Sequence, residues 1–198
     1  RAPRSCFRDG RTLQTLLALS RLIDLASYRI GRAVAWLALT MVLLQFVVVI
    51  LRYVFGTGEI WLQEAIIYQH GLLFMLGASF TLLKDGHVRV DIVYAGLSPR
   101  AKAVVDLVGA TLLLVPVMAV ILWVSYPYVA RSWAVLEGSR ETSGIPAVFL
   151  LKTVILAFAI TMLLQGVSTI IRSVAFLRGF PLPPLPHREN EAADRVEV

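Results

Sequence analysis

Residues 33–51, 65–83, 107–130 and 153–171 form four stretches without a single Asp, Glu, Lys or Arg. Three of these runs are nineteen residues long, and at about 1.5 Å of rise per residue they reach about 28 Å, close to the hydrocarbon thickness of about 30 Å. Each can cross a bilayer once. None shows the alternation of apolar and polar positions that a barrel strand needs, and a lipid-exposed backbone must satisfy its own hydrogen bonds. The pattern therefore predicts an all-α integral membrane protein, a bundle of four transmembrane helices. Pro116 falls inside the third run, where it removes a backbone bond and is expected to bend the helix near Val115 or just before it. Pro127 is expected to end or bend the outer turn of the same helix.

Composition agrees, because 58% hydrophobic residues leave too few polar side chains to cover a soluble chain of 198 residues. The charges then orient the spans. Of the nineteen Lys and Arg residues, fifteen fall in the N-terminal segment, the loop between the second and third runs, and the tail. The other four are Arg52, Arg131, Arg140 and Lys152. By the positive-inside rule both termini and the middle loop are cytoplasmic, and two loops, near residues 52–64 and 131–152, face outward. The net charge of +6 is thus a topology signal and not a nucleic-acid footprint, since the basic residues line membrane borders instead of forming one patch with aromatics. No cleavable signal peptide is expected, because the first apolar run is too long for a signal core and no small-residue cleavage pattern follows it. The lone cysteine, Cys6, excludes an internal disulfide and any site built from several cysteines.

The flanks divide the chain into a basic segment at 1–32, the four-span domain at 33–178 and a Pro-rich tail at 179–198. In the first segment Leu13, Leu16, Leu17, Leu19 and Leu22 mix with Arg11, Arg21 and Asp24 at loosely helical spacing. That segment either lies on the membrane surface as an amphipathic helix or extends the first span. Between spans two and three, Val88, Ile92 and Ala95 fit a short interfacial helix, and Lys102 and Asp106 are four apart and able to pair. The tail, with Pro181, Pro183, Pro184 and Pro186, is expected to be flexible or extended.

Polar groups next to or inside the spans are the candidate functional residues. Arg52 closes the first span and Glu64 opens the second, so a short hairpin brings them within reach of an ion pair, with a structural clamp favoured over a transport role. His70 is the deepest titratable group, on one face with Gln63 and Gly77, a stripe suited to close helix packing. A proton relay needs a second site, which the other spans do not offer beyond Gln45, Gln165 and a few hydroxyls. Haem ligation needs a second axial residue at matching depth, and His87 and His187 lie outside the spans. Neither paired carboxylates, a Gly-rich phosphate loop nor a nucleophile with its base occurs in a span, so the chain is expected to be no enzyme and to hold no cofactor or metal.

Arg52-Tyr-Val-Phe55, Trp61 with Glu64, Leu76-Gly-Ala78, the Gly86-His-Val-Arg-Val-Asp91 run and the Glu141-Thr-Ser-Gly-Ile-Pro146 run occur in this order. Together they resemble the small membrane subunit of tripartite ATP-independent periplasmic (TRAP) transporters, from about Arg32 to Arg178. The resemblance implies a non-catalytic scaffold subunit of a secondary importer of organic anions such as carboxylates in the bacterial inner membrane. It implies two partners, a large multispanning permease subunit that binds the substrate and the sodium, and a soluble periplasmic substrate-binding protein. It further implies that Arg52, Trp61, Glu64 and Glu141 serve docking or bracing on the periplasmic side. His70, Gly77, His87 and Asp91 become candidates for contact with the large subunit. Two other readings stand beside it, the membrane anchor of a respiratory enzyme and a small homodimeric exporter. The exporter reading lacks the acidic residue such proteins carry deep in their first span, where this chain has only Gln45.

Overall fold

A computed structural model describes residues 4–87, 94 and 96–186, with side chains described from residue 12 onward. The elements are α1 (Arg4–Tyr53), α2 (Ile60–Leu83), α3 (Pro99–Gly109), a π-helical turn (Ala110–Leu114), α4 (Val115–Ala134) and α5 (Val148–Leu177). No strand occurs among the described residues. Four helical stretches are long and apolar enough to cross a membrane: Thr12–Tyr53, Ile60–Leu83, Pro99–Ala134, which joins α3, the π turn and α4, and Val148–Leu177. The chain is a multi-pass membrane protein.

Helix ends follow local chemistry. Pro99 occupies the first turn of α3, where its missing N–H is not needed, and the Ser98 side chain accepts from the Ala101 N–H at 3.3 Å. Three ends close alike, with one left-handed residue followed by an N–H that reaches back five positions. At α2 this residue is Asp85 (φ 55°), and Gly86 N–H donates to Thr81 O at 2.8 Å. At α4 it is Leu136 (φ 45°), with Glu137 N–H donating to Ser132 O at 3.0 Å. At α5 it is Gly179 (φ 75°), with Phe180 N–H donating to Ala175 O at 3.0 Å. Only the last uses the residue that adopts this conformation without strain.

The disturbance expected from Pro116 takes the form of the π turn, where Val115 N–H donates to Ala110 O, five residues back. Pro127 does not end its helix, since α4 continues to Ala134. Proline removes one donor and the flanking turns supply the remaining bonds, which a membrane helix tolerates.

The chain divides into two compact units. One comprises Arg1–Tyr28, Thr81–Met118 and Met162–Val198; the other comprises Arg29–Phe80 and Ala119–Thr161. The first unit thus gathers the N-terminal segment, the loop after α2 and the C-terminal part. Its apolar core is Leu13, Leu17, Ile171 and Ala175, with Phe180 and Leu182 packed against it. The basic segment is continuous with the first span, because α1 runs uninterrupted from Arg4; Leu13 and Leu17 bury against Ile171 and Ala175 of α5, while Leu16, Leu19 and Leu22 stay exposed. The start of the Pro-rich segment, which composition reads as flexible, is packed too: Arg172 Nη2 donates to Pro183 O at 2.9 Å. Residues 187–198 lie outside the described residues. In the same unit Gly166 lets the π turn approach, since a Cβ there would stand 2.8 Å from Leu114 Cδ2.

The second unit holds the hairpin of α1 and α2 with α4 and the first half of α5. A Cβ on Gly31 would collide with the Phe80 ring, and one on Gly71 would lie 3.2 Å from Leu151 Cδ1, so small residues set these approaches. Thr40 Oγ1 donates to Gln69 Oε1 at 2.8 Å, a side-chain bond between α1 and α2.

Candidate functional site

In the second unit, Glu64 sits in the second turn of α2 and anchors the loop between α4 and α5. One carboxylate oxygen accepts from the Ser139 hydroxyl, and the other accepts from the Ile145 N–H at 2.6 Å. Ser139 Oγ also accepts from the Glu141 N–H at 3.1 Å, and Gly144 N–H donates to Glu141 O at 3.1 Å, which folds the loop on itself. Gly144 is required here, because a Cβ would meet Ser139 and Glu64 Oε1.

The partner of Glu64 is therefore this loop and not Arg52. Arg52 is exposed, and among the described residues no ion pair joins it to Glu64. The physical reason is that a half-buried carboxylate is better matched by fixed N–H and O–H donors than by a guanidinium that reaches water on its own. Trp61, 48% exposed, and Glu141, also exposed, stand on the same unit.

A second set of bonds ties the loop to its helices. Glu137 accepts from Lys152 Nζ and, at 2.7 Å, from the Ser132 hydroxyl, while Lys152 Nζ lies 4.2 Å from the centre of the Tyr128 ring. The Lys152 bond first, and the Ser132 bond second, hold the Glu137 carboxyl below its ordinary range, against an opposing push from desolvation. Trp133 Nε1 donates to Thr153 Oγ1 at 2.8 Å, and its ring meets Phe149 edge to face at 4.7 Å. The run from Ser132 to Thr153 is therefore a knitted corner, not a loose turn.

The first unit contains a polar network that reading the sequence missed. Asp24, 0% exposed, accepts on Oδ1 from Ser168 Oγ at 2.6 Å and from Gln165 Nε2 at 3.0 Å, and on Oδ2 from Arg172 Nη1 at 3.3 Å. Ser20 Oγ and Ser168 Oγ lie 2.8 Å apart. Gln165 Oε1 is buried and has no donor among the described residues. The network lies beside a cleft of ≈ 490 Å³ whose lining includes Asp85, Lys102, Asp106 and Phe176. Asp106 accepts from the Tyr94 hydroxyl at 3.0 Å on one oxygen and 3.1 Å on the other, and Lys102 Nζ lies 5.2 Å from the centre of the Tyr94 ring. The available signal was spacing: Ser20 and Asp24 are four apart on α1, as are Ser168 and Arg172 on α5, where Gln165 precedes Ser168 by three.

His70 lines a groove of ≈ 430 Å³ together with Tyr128 of α4 and Leu151 and Lys152 of α5. It is exposed, stacks on Phe74 with ring centres 6.3 Å apart, and forms no hydrogen bond among the described residues. A Cβ on Gly77 would meet nothing within 4 Å. His87 is exposed just after α2, and Asp91 lies outside the described residues.

Among the described residues no cluster of three His, Cys, Asp or Glu is placed to hold a metal. What the sites do share is cross-linking of membrane helices through buried polar bonds, which defines a multispanning helical membrane protein with a braced frame. Comparison with known families takes this further. A family model described as "Tripartite ATP-independent periplasmic transporters, DctQ component" matches residues 41–176, and the chain belongs to that family. It is the small membrane component of a TRAP transporter. No curated protein and no solved structure matches it. The family match, not the geometry, separates this reading from an enzyme anchor or a small exporter.

Proposed function

We propose that the chain is a non-catalytic scaffold subunit of a sodium-driven importer of organic anions such as carboxylates, working in a bacterial inner membrane with both termini in the cytoplasm. The substrate and sodium bind the large permease subunit, which this chain braces, and a periplasmic binding protein docks near its outer edge. The observation that carries this reading is the Glu64 anchor: a carboxylate at the start of a span is used up in holding a loop, leaving Trp61 and Glu141 outward beside it. A transport residue would keep a free coordination position; Glu64 has both oxygens engaged. The charge bias supports the orientation, because thirteen of the nineteen Lys and Arg residues belong to the first unit and the sparse loops to the second.

Co-expression with and without the large permease tests the reading. A scaffold gains stability and yield with its partner and carries no solute alone. A chain that is stable alone and moves an organic anion into liposomes would overturn it.

A further inference from the structure

The cleft of ≈ 490 Å³ beside Asp24 lies wholly within the first unit. It has the size of a small-ligand pocket, about 300–1,000 Å³. α5 gives it one stripe, because Gln165, Thr169, Arg172 and Phe176 follow one another at four- and three-residue spacing and all line it. Lys102 and Asp106 of α3 and Asp85, just past α2, add charge to the lining, while Leu82, Leu182 and Leu185 add apolar surface.

Gln165 is where the cleft is incomplete. It is 2% exposed, its Nε2 is spent on Asp24 Oδ1 at 3.0 Å, and its Oε1 accepts from nothing among the described residues. A buried amide oxygen left without a donor is costly, so the site calls for a donor. Charge selects the kind. Arg172 is already shared between Asp24 Oδ2 and Pro183 O, and the Lys102 ammonium lies 5.2 Å from the centre of the Tyr94 ring. The lining holds three carboxylates, Asp24, Asp85 and Asp106, against two cations, Lys102 and Arg172, which leaves one negative charge. An anion would meet Asp85 and Asp106 and would leave Gln165 Oε1 without its donor. A monocation that carries N–H groups answers both needs.

We propose that this cleft binds a primary ammonium group joined to an apolar arm, with the ammonium between Gln165 Oε1 and the Asp106 carboxylate and the arm along Phe176, Leu182 and Leu185. Two sources supply that chemistry: a membrane lipid whose headgroup ends in a primary amine, and a soluble alkylamine. The inference is independent of the scaffold reading, since every lining residue belongs to the first unit of this chain. Because the lining comes from α1, α2, α3, α5 and the segment after α5, an occupant ties these elements to one another.

The test uses the full chain, delipidated and purified, in two arms. In the first, hexylamine, hexanol and hexanoate are titrated by calorimetry against the chain in phosphatidylcholine nanodiscs. In the second, native mass spectrometry counts the lipid retained from an equal mixture of phosphatidylethanolamine and phosphatidylcholine, whose choline group keeps the charge but has no N–H. A soluble occupant shows as hexylamine binding at least about tenfold tighter than the other two, and a lipid occupant as retention of phosphatidylethanolamine by a similar factor. In the arm that responds, Gln165→Met and Asp106→Asn should each cut the preference about 10- to 100-fold, the worth of a hydrogen bond to a charged group. Asp106→Asn keeps an acceptor for the Tyr94 hydroxyl, so it decides the matter if Gln165→Met fails to fold. Equal binding of hexylamine and hexanol together with equal retention of the two lipids overturns the proposal and leaves the cleft to water, as does a preference that Asp106→Asn does not alter.

Discussion

Replacing Asp24 by Asn is the sharpest probe of the frame. The change keeps size and the Oδ1 acceptor for Ser168 and Gln165, but it removes the charge and turns an amide N–H₂ toward Arg172 Nη1, now 3.3 Å from Oδ2. Asp24 is fully buried and Arg172 nearly so, with 16% of its side chain exposed, so the cation left behind is poorly solvated. Removing one member of a buried pair costs about 3–5 kcal/mol, where the same loss on a surface costs under about 1 kcal/mol. For a chain of this size that is a fall of about 6–20 °C in the melting midpoint. Arg172 keeps its bond to Pro183 O, which places the effect toward the lower half of the range. Tryptophan fluorescence of the four Trp residues in detergent micelles reads the transition. Arg172→Gln and the double variant Asp24→Asn with Arg172→Gln complete a cycle, and the double variant should recover about 0.5–3 kcal/mol relative to the sum of the singles. A fall below about 4 °C for Asp24→Asn, or strict additivity in the cycle, refutes the assignment of Asp24 and Arg172 as a coupled buried pair.

Glu64→Ala should release the loop while leaving the helices in place, costing about 1–3 kcal/mol, and hydrogen exchange at the Ile145 amide should rise far more than at amides in the middle of α2. Leu136→Gly should raise stability by about 0.5–1 kcal/mol, because the left-handed position at the end of α4 now carries an exposed leucine; a lower melting midpoint would contradict the strain. Because the Glu137 carboxyl is held below its ordinary range, its contribution is complete above that range and lost as pH falls through the lowered value. Near-ultraviolet circular dichroism of Trp133 should report this acid loosening of the corner, and Lys152→Met should weaken its pH dependence, leaving the part that the Ser132 bond supplies.

How much of this was legible beforehand differs by residue. The four spans were, because bilayer thickness converts directly into a run length, and no packing detail alters that. Pro116 marked its helix correctly for the same local reason, a missing donor. Pro127 does not end its helix, since whether a proline does so depends on the turns around it. Glu64 was visible as a costly carboxylate at the edge of a span, while its partner was not. The nearest cation in sequence was Arg52, and the donors that hold Glu64 come from Ser139 and Ile145, 75 and 81 positions away. Asp24 reads from the sequence as one polar position of a surface helix, because its segment is rich in arginine, and its partners Gln165, Ser168 and Arg172 lie more than 140 positions away.

By itself, then, the sequence determined the class of the chain, its span number and the order of motifs that carry its family, for these follow from hydropathy and local chemistry alone. Tertiary structure decided which polar groups are used up and which are left over. Asp24 and Glu64 are consumed in holding helices and a loop, and His70 is exposed and makes no hydrogen bond among the described residues. That division depends on which helix faces meet. Residues 148 positions apart, such as Ser20 and Ser168, become neighbours only through packing, which a one-dimensional pattern does not contain.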